Sequence, residues 1–185
     1  MKVSPTKLPD VLVIELATYQ DARGYFMETY QQQRYADAGI VGHFCQDNLS
    51  FSVRNTLRGL HFQSPQAQAK LVQVIAGAIF DVAVDVRIGS PTFGQWDGVT
   101  LSRANKRQVY VPQGFAHGFC VLSESAYVHY KCSDFYAPQA EGGVHYADPD
   151  LAIQWPLSEP LLSDKDSRFP LLKDIAPENL PVYQK

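Results

Sequence analysis

Apolar residues in this chain recur in short alternating runs, with turn-forming residues between the runs. Ile79, Asp81, Ala83 and Asp85 alternate with Phe80, Val82, Val84 and Val86, which is the two-residue period of a β-strand. Similar runs predict strands over residues 11–16, 25–30, 44–51 and 57–62, with turns at Asp21-Ala22-Arg23-Gly24 and Arg54-Asn55. Residues 71–75 and 78–87 flank Ala76-Gly77 and read as a hairpin. Further strands are expected over 92–101, 106–111, 119–122 and 126–131, and residues 64–69 read as a polar loop. Residues 31–38, ended by Gly39, form the one helical candidate. From Pro149 the chain is rich in proline, which predicts loops and short helical turns laid over the strands. About ten short strands, with turn signals roughly every 8–12 residues, predict a β-sandwich or barrel. No internal repeat or linker divides the 185 residues, so one domain over 1–185 is expected.

Composition narrows the function classes. A net charge of −3 gives no broad basic surface, so nucleic-acid binding is not expected. No run approaches the ~20 apolar residues of a membrane span. The start, Met1-Lys2-Val3-Ser4-Pro5, lacks the apolar stretch of a signal peptide, and a cytoplasmic location is the expectation. Cys45, Cys120 and Cys132 have no metal-type spacing; they read as free thiols packed as small hydrophobes, with no chemistry assigned.

Candidate chemistry concentrates in Arg58-Gly59-Leu60-His61-Phe62-Gln63, which follows the polar Gln46-Asp47-Asn48, and in Pro112-Gln113-Gly114-Phe115-Ala116-His117-Gly118-Phe119. Strands that carry so many polar groups imply a polar pocket, because an unpaired buried polar group is costly. A metal at His61 and His117 falls short of the usual three or four ligands: Gln63 replaces any HxH pair, and Lys70 would repel a cation. Proton transfer fits better, with His61 as base and an aspartate of Leu162-Ser163-Asp164-Lys165-Asp166 as its partner. A hydrogen-bonded core histidine remains an equal reading of the same residue. Lys70 would place an ammonium by an oxyanion, or be a solvated loop-end lysine. Arg58 and Arg23 suit a phosphate, or surface ion pairs. Arg58 and His61 have opposite strand parity, and a bulge at Gly59 would bring them to one side. Tyr127, Tyr130 and Tyr136 are open between sheet packing and acid or stacking roles, and His43, His129 and His145 have no evident partner.

Taken in order, Asp21-Ala22-Arg23-Gly24-Tyr25-Phe26, Gln46-Asp47-Asn48-Leu49-Ser50, Leu57-Arg58-Gly59-Leu60-His61-Phe62-Gln63, Lys70-Leu71-Val72, residues 80–85, Ser90-Pro91-Thr92-Phe93-Gly94 and residues 112–119 resemble the dTDP-4-dehydrorhamnose 3,5-epimerase family over about residues 9–172. The resemblance implies a mainly β, cupin-type jelly-roll barrel with short peripheral helices. It further implies a homodimer in which N-terminal strands of one subunit join the sheet of the other, and a cofactor-independent, metal-free reaction on a dTDP-sugar. Inversion at C3 and C5 of dTDP-4-dehydro-6-deoxy-D-glucose would give dTDP-4-dehydro-β-L-rhamnose. By motif position His61 is the base, Asp166 its orienting carboxylate, Tyr130 the acid and Lys70 the enolate stabiliser. Arg23, Glu28, Gln46, Asn48, Arg58, His117, Glu141 and Lys165 are implied substrate contacts, with Tyr136 stacked on thymine. Ser50-Phe51-Ser52-Val53 and Gly143-Val144-His145-Tyr146 depart from the family pattern; neither is expected to touch the catalytic set, and Tyr146 is placed where it would alter the nucleotide end. The competing readings are epimerisation at C3 alone, which the presence of Tyr130 disfavours, a non-catalytic sugar-binding cupin, which would lack His61 or Asp166, and a metal-dependent cupin oxygenase.

Overall fold

The computed structural model describes residues 1–184. Eight strands of the chain's middle form the frame: β5 (Gln46–Val53), β6 (Leu57–Gln63), β7 (Lys70–Ala76), β8 (Ala78–Asp85), β9 (Trp96–Ser102), β10 (Arg107–Val111), β11 (Phe115–Val121) and β12 (Ser125–Cys132). They are preceded by β1 (Lys2–Pro5), β2 (Leu12–Glu15), β3 (Thr18–Asp21), β4 (Gly24–Met27) and helix α1 (Gln32–Asp37), and followed by β13 (Glu141–Gly143). One sheet runs β1-β2-β10-β7-β12-β5 and the other β13-β6-β11-β8-β9. Strands β5 to β12 switch between the sheets as a jelly roll requires, giving the cupin-type barrel.

Residues 71–75 and 78–87 were expected to pair as a hairpin, and they do not. β7 lies in the six-stranded sheet and β8 in the five-stranded one. Gly77, at φ +85° and pressed against the Ser125 backbone, turns the chain around the barrel corner. A two-residue Gly link serves a corner as well as a hairpin, so local sequence does not separate them. The strand expected over 92–101 starts only at Trp96, because Ser90 and Thr92 donate their hydroxyls to Asp85 Oδ2 and hold the preceding residues in a turn. β11 begins at Phe115, four residues earlier than the apolar run from Phe119, and every residue of it is buried.

Three apolar clusters fix the layers. Val72, Val74, Ile79, Ala83, Leu101, Val109, Phe119 and Val128 meet between the sheets. Val82, Val84, Val86 and Ala116 point outward from the five-stranded sheet and are covered by Val144, Leu151, Leu172 and Leu180. The parity read for residues 79–86 therefore holds, but both faces are buried. Ile14, Leu71 and Tyr110 on the outer face of the other sheet are covered by Tyr35 and Ile40. Gln31 caps α1 by accepting from Arg34 N. The N-terminal strands, each four residues long, are short rather than extended; β1 and β2 join the chain's own sheet, while β3 and β4 form a separate two-stranded arm.

The proline-rich end forms loops and 3-10 turns, one of them over Asp166–Arg168. Buried Asp148 anchors this covering segment: it accepts from the backbone N–H groups of Asp150 (2.8 Å), Leu151 (3.3 Å) and Leu172 (2.7 Å). Asp148→Ala strands those donors and is expected to lower the unfolding free energy by about 3 kcal/mol. Urea denaturation checks this, and a loss under about 0.5 kcal/mol would show the segment to be held otherwise.

Candidate active site

The inner ends of both sheets enclose two adjoining cavities of ≈ 210 and ≈ 160 Å³ that share His61, Lys70 and Tyr130. The larger is walled by Gln46, Asn48, Gln63, Gln68, Cys132, Tyr136 and Glu141. The smaller is walled by Ser50, Arg58, His117, Gly118 and Phe119.

Strand geometry explains the convergence. In the β6–β11 pairing His61 lies opposite His117 and Arg58 opposite Phe119, so three steps on β6 match two on β11. This is the bulge expected at Gly59, and it brings Arg58 and His61 to one cavity despite their parity. Gly59 has φ +119°, and a Cβ there would lie 2.6 Å from Gly118 Cα. Only glycine fits.

His61 Nε2 lies 2.7 Å from Asp166 Oδ1, and Gly59 N donates to Asp166 Oδ2 at 3.4 Å. The imidazole side chain is 30% exposed and the carboxylate 4%. Burial acts to raise the Asp166 pKa, but the His61 contact and the Gly59 N–H outweigh it, and the carboxyl is held below the usual carboxylate value. With Nε2 engaged, this pairing fixes the ring and leaves Nδ1 for other work. Phe169 meets the ring edge-on at 5.5 Å between centroids. Of the aspartates near the chain's end, Asp166 is the one that reaches.

Lys70 begins β7 on the opposite sheet, beside Cys132 of β12. Burial pushes its pKa down, against the pull of Cys132, Asp81 and Glu141. Tyr130, two residues before Cys132, has its pKa raised chiefly by burial. The expectation that the cysteines carry nothing beyond packing holds for buried Cys120, whereas Cys132 walls the cavity and its Sγ accepts from Asn48 Nδ2 at 3.5 Å. His117 is 2.9 Å from Asp81 Oδ2, buried on the cavity floor.

At the open end, Glu141 takes Lys165 Nζ at 2.8 Å and the Tyr136 hydroxyl at 3.0 Å. Burial alone would raise its pKa; these donors bring it below the ordinary value. Gln46 Oε1 accepts from Tyr136 N at 2.9 Å, and Gln46 Nε2 donates to Asn48. Gln63, Gln68, Cys132 and Ser50 were not among the expected site residues. The signal for Gln63 and Gln68 was polarity within or beside apolar strands; Cys132 and Ser50 carried none.

Three further expectations change. Arg23 and Glu28 stand outside these cavities: Arg23 bonds Asp21 on the arm at 2.7 Å, and Glu28 pairs with Arg34 at 3.2 Å. The departing stretches were expected to miss the catalytic set, yet Ser50 is on its cavity wall and Gly143 is the β13 partner of His61. Tyr146 is no part of the cavity lining; its carbonyl accepts from Trp155 Nε1. His129, thought partnerless, meets Gln73 Nε2 through Nδ1 at 3.3 Å. Among the described residues no group of three or more His, Cys, Asp or Glu is arranged to hold a metal ion, and no helix is long and apolar enough to cross a membrane.

The family model for dTDP-4-dehydrorhamnose 3,5-epimerase matches residues 5–174. The chain belongs to this family. It is 53% identical over 170 residues to the dTDP-4-dehydrorhamnose 3,5-epimerase of Pseudomonas aeruginosa, covering 90% of this chain and 93% of the relative. It is 51% identical over 168 residues to the Shigella flexneri enzyme of the same name, with 90% and 93% covered. The crystal structure of the Legionella pneumophila dTDP-6-deoxy-D-glucose-3,5-epimerase, in complex with dTDP-4-keto-L-rhamnose, superposes with a TM-score of 0.97 at 53% identity, covering 100% of this chain and 99% of that one. Membership makes the chain an isomerase of the epimerase class.

Asp166→Asn keeps the shape and removes the charge, and turnover is expected to fall by about 10²–10⁴-fold. The folded Asp166 pKa lies below the unfolded value, so the stability that its charge contributes is present above about pH 4 and is lost as pH falls through the folded value. Denaturation of wild type and Asp166→Asn over acid pH checks this. A stability gap that widened on acidification would contradict the assignment.

Proposed function

We propose that the chain inverts C3 and C5 of dTDP-4-dehydro-6-deoxy-D-glucose, yielding dTDP-4-dehydro-β-L-rhamnose, as one catalytic domain acting in the cytoplasm. The observation that carries the reading is that His61, paired with Asp166, and Tyr130 stand on strands of the two facing sheets, with both side chains in one cavity. Inversion needs this arrangement. The C4 ketone acidifies the hydrogens on C3 and C5; a base on one face removes one, and an acid on the other face returns it. His61 takes the proton and Asp166 stabilises the resulting imidazolium. Lys70 offers a cation to the enolate oxygen that develops at C4. Tyr130, kept protonated by burial, delivers the proton from the other side. Arg58 and His117 line the sugar end, while Gln46, Asn48, Tyr136, Glu141 and Lys165 gather at the nucleotide end, with Tyr136 under thymine. His61 with its carboxylate and Tyr130 across the ring favour inversion over passive binding, and the 53% identity to a 3,5-epimerase favours double inversion over C3 inversion alone.

Arg23 and Glu28 complete this reading only if a second copy lends its arm. A homodimer is supported by the solvent-facing apolar side chains Leu49, Phe51 and Tyr127 on β5 and β12, and by the exposed aromatics Tyr19 and Phe26 on the arm, a combination rare on a monomer's surface.

In deuterium oxide, turnover is expected to place deuterium at both C3 and C5, read by NMR; label at C3 alone would make this a 3-epimerase. His61→Ala is expected to abolish exchange, while Tyr130→Phe suppresses inversion more than initial exchange. For the dimer, Arg23→Ala and His61→Ala are each expected to be inactive. Exchanging their subunits restores about a quarter of wild-type activity, because half the dimers regain one intact site. No recovery, with dimers verified by sedimentation, would place Arg23 with its own chain's cavity, and an active Arg23→Ala would place it outside catalysis.

A further inference from the structure

The inner face of β5 carries a polar ladder, Gln46, Asn48, Ser50 and Ser52. Three rungs have protein partners. Gln46 accepts from Tyr136 N, Asn48 donates to Cys132 Sγ, and Ser52 Oγ accepts from Arg58 Nε at 3.0 Å. Ser50 Oγ is shut away from solvent and, alone among buried side-chain polar atoms of the described residues, has no protein hydrogen-bond partner. An unmatched buried hydroxyl costs free energy that a folded protein seldom leaves unspent without use. Ser50 forms part of the smaller cavity, with His61, Lys70, Tyr130, Arg58 and His117.

We infer that the Ser50 hydroxyl is a substrate-positioning group whose partner is an oxygen of the sugar ring. The inference rests on the epimerase reading above. Location selects the sugar over the nucleotide. Gln46 is tied to Tyr136 at the open end, and Ser50 lies four residues further along the strand, about 13 Å inward at the usual rise. The cavity that includes Ser50 contains the three reacting side chains and lacks Tyr136, Glu141 and Gln46. A hydroxyl donates and accepts, so it serves a carbonyl or a hydroxyl oxygen alike. Ser50 lines this cavity together with those reacting groups. Its backbone is fixed by pairing with Val128 of β12, two residues from Tyr130. Sugar bound to Ser50 is thereby held in register with the acid.

Ser50→Ala tests this. Three quantities are compared with wild type: melting temperature without ligand, dTDP affinity by calorimetry, and kcat/KM for the dTDP-sugar with deuterium uptake at C3 and C5. The expected result is a melting temperature unchanged or raised, dTDP affinity within about twofold, and kcat/KM lower by about tenfold or more. A kcat/KM within about twofold of wild type overturns the inference. So does a parallel loss of melting temperature, dTDP affinity and turnover, which would make the hydroxyl structural. Wild-type protein that binds dTDP but exchanges neither carbon overturns the epimerase reading itself, and is distinguished because that measurement uses no variant.

Discussion

At Gly59 and Gly118 two neighbouring strands approach so closely that neither position has room for a Cβ; one on Gly118 would meet Arg58 O at 2.6 Å. The site's arrangement follows from this contact. The extra residue on β6 turns Arg58 and His61 to the same cavity. The displaced backbone aims Gly59 N at Asp166, so the same bulge that presents the imidazole also helps to hold its carboxylate. A regular ladder would have sent Arg58 and His61 to opposite faces.

The space between the sheets is divided between apolar packing and polar work. Val72, Val121 and Val128 belong to the core cluster, while Lys70, His117 and Tyr130 of the same strands reach the cavity. Keeping charge there costs desolvation, and the chain offsets it with paired partners: Asp166 with His61 and Gly59, Asp81 with His117. Lys70 has no carboxylate within ion-pair distance among the described residues, and burial lowers its pKa accordingly. An ammonium left this way favours an anion that forms nearby, which suits a reaction passing through an enolate.

The second constraint is the covering of the five-stranded sheet. Strands with both faces apolar need a layer outside them, and the chain after Pro149 supplies it through Leu151, Leu172 and Leu180. That layer also brings Asp166 and Phe169 to His61. Packing and catalysis therefore share one segment, with Asp148 tying it down by three backbone N–H groups.

Sequence by itself determined the alternation that makes strands, the short helix before Gly39, the polar motifs with their family, and a place for a bulge at Gly59, since parity and glycine conformation are local properties. It did not determine which strands pair. The link at Ala76-Gly77 looked like a hairpin, and only the packing of the two sheets made it a corner. Nor could it choose Asp166 over Asp164 from the residues alone, because a contact across 105 positions depends on where the covering layer lies. Arg23 matched its motif yet stands on an arm away from the cavity, as a motif records residue type and not the path of the chain. Ser50 was invisible for the complementary reason. A serine on a strand is ordinary, and the absence of a partner for its hydroxyl exists only once every neighbouring atom has its place.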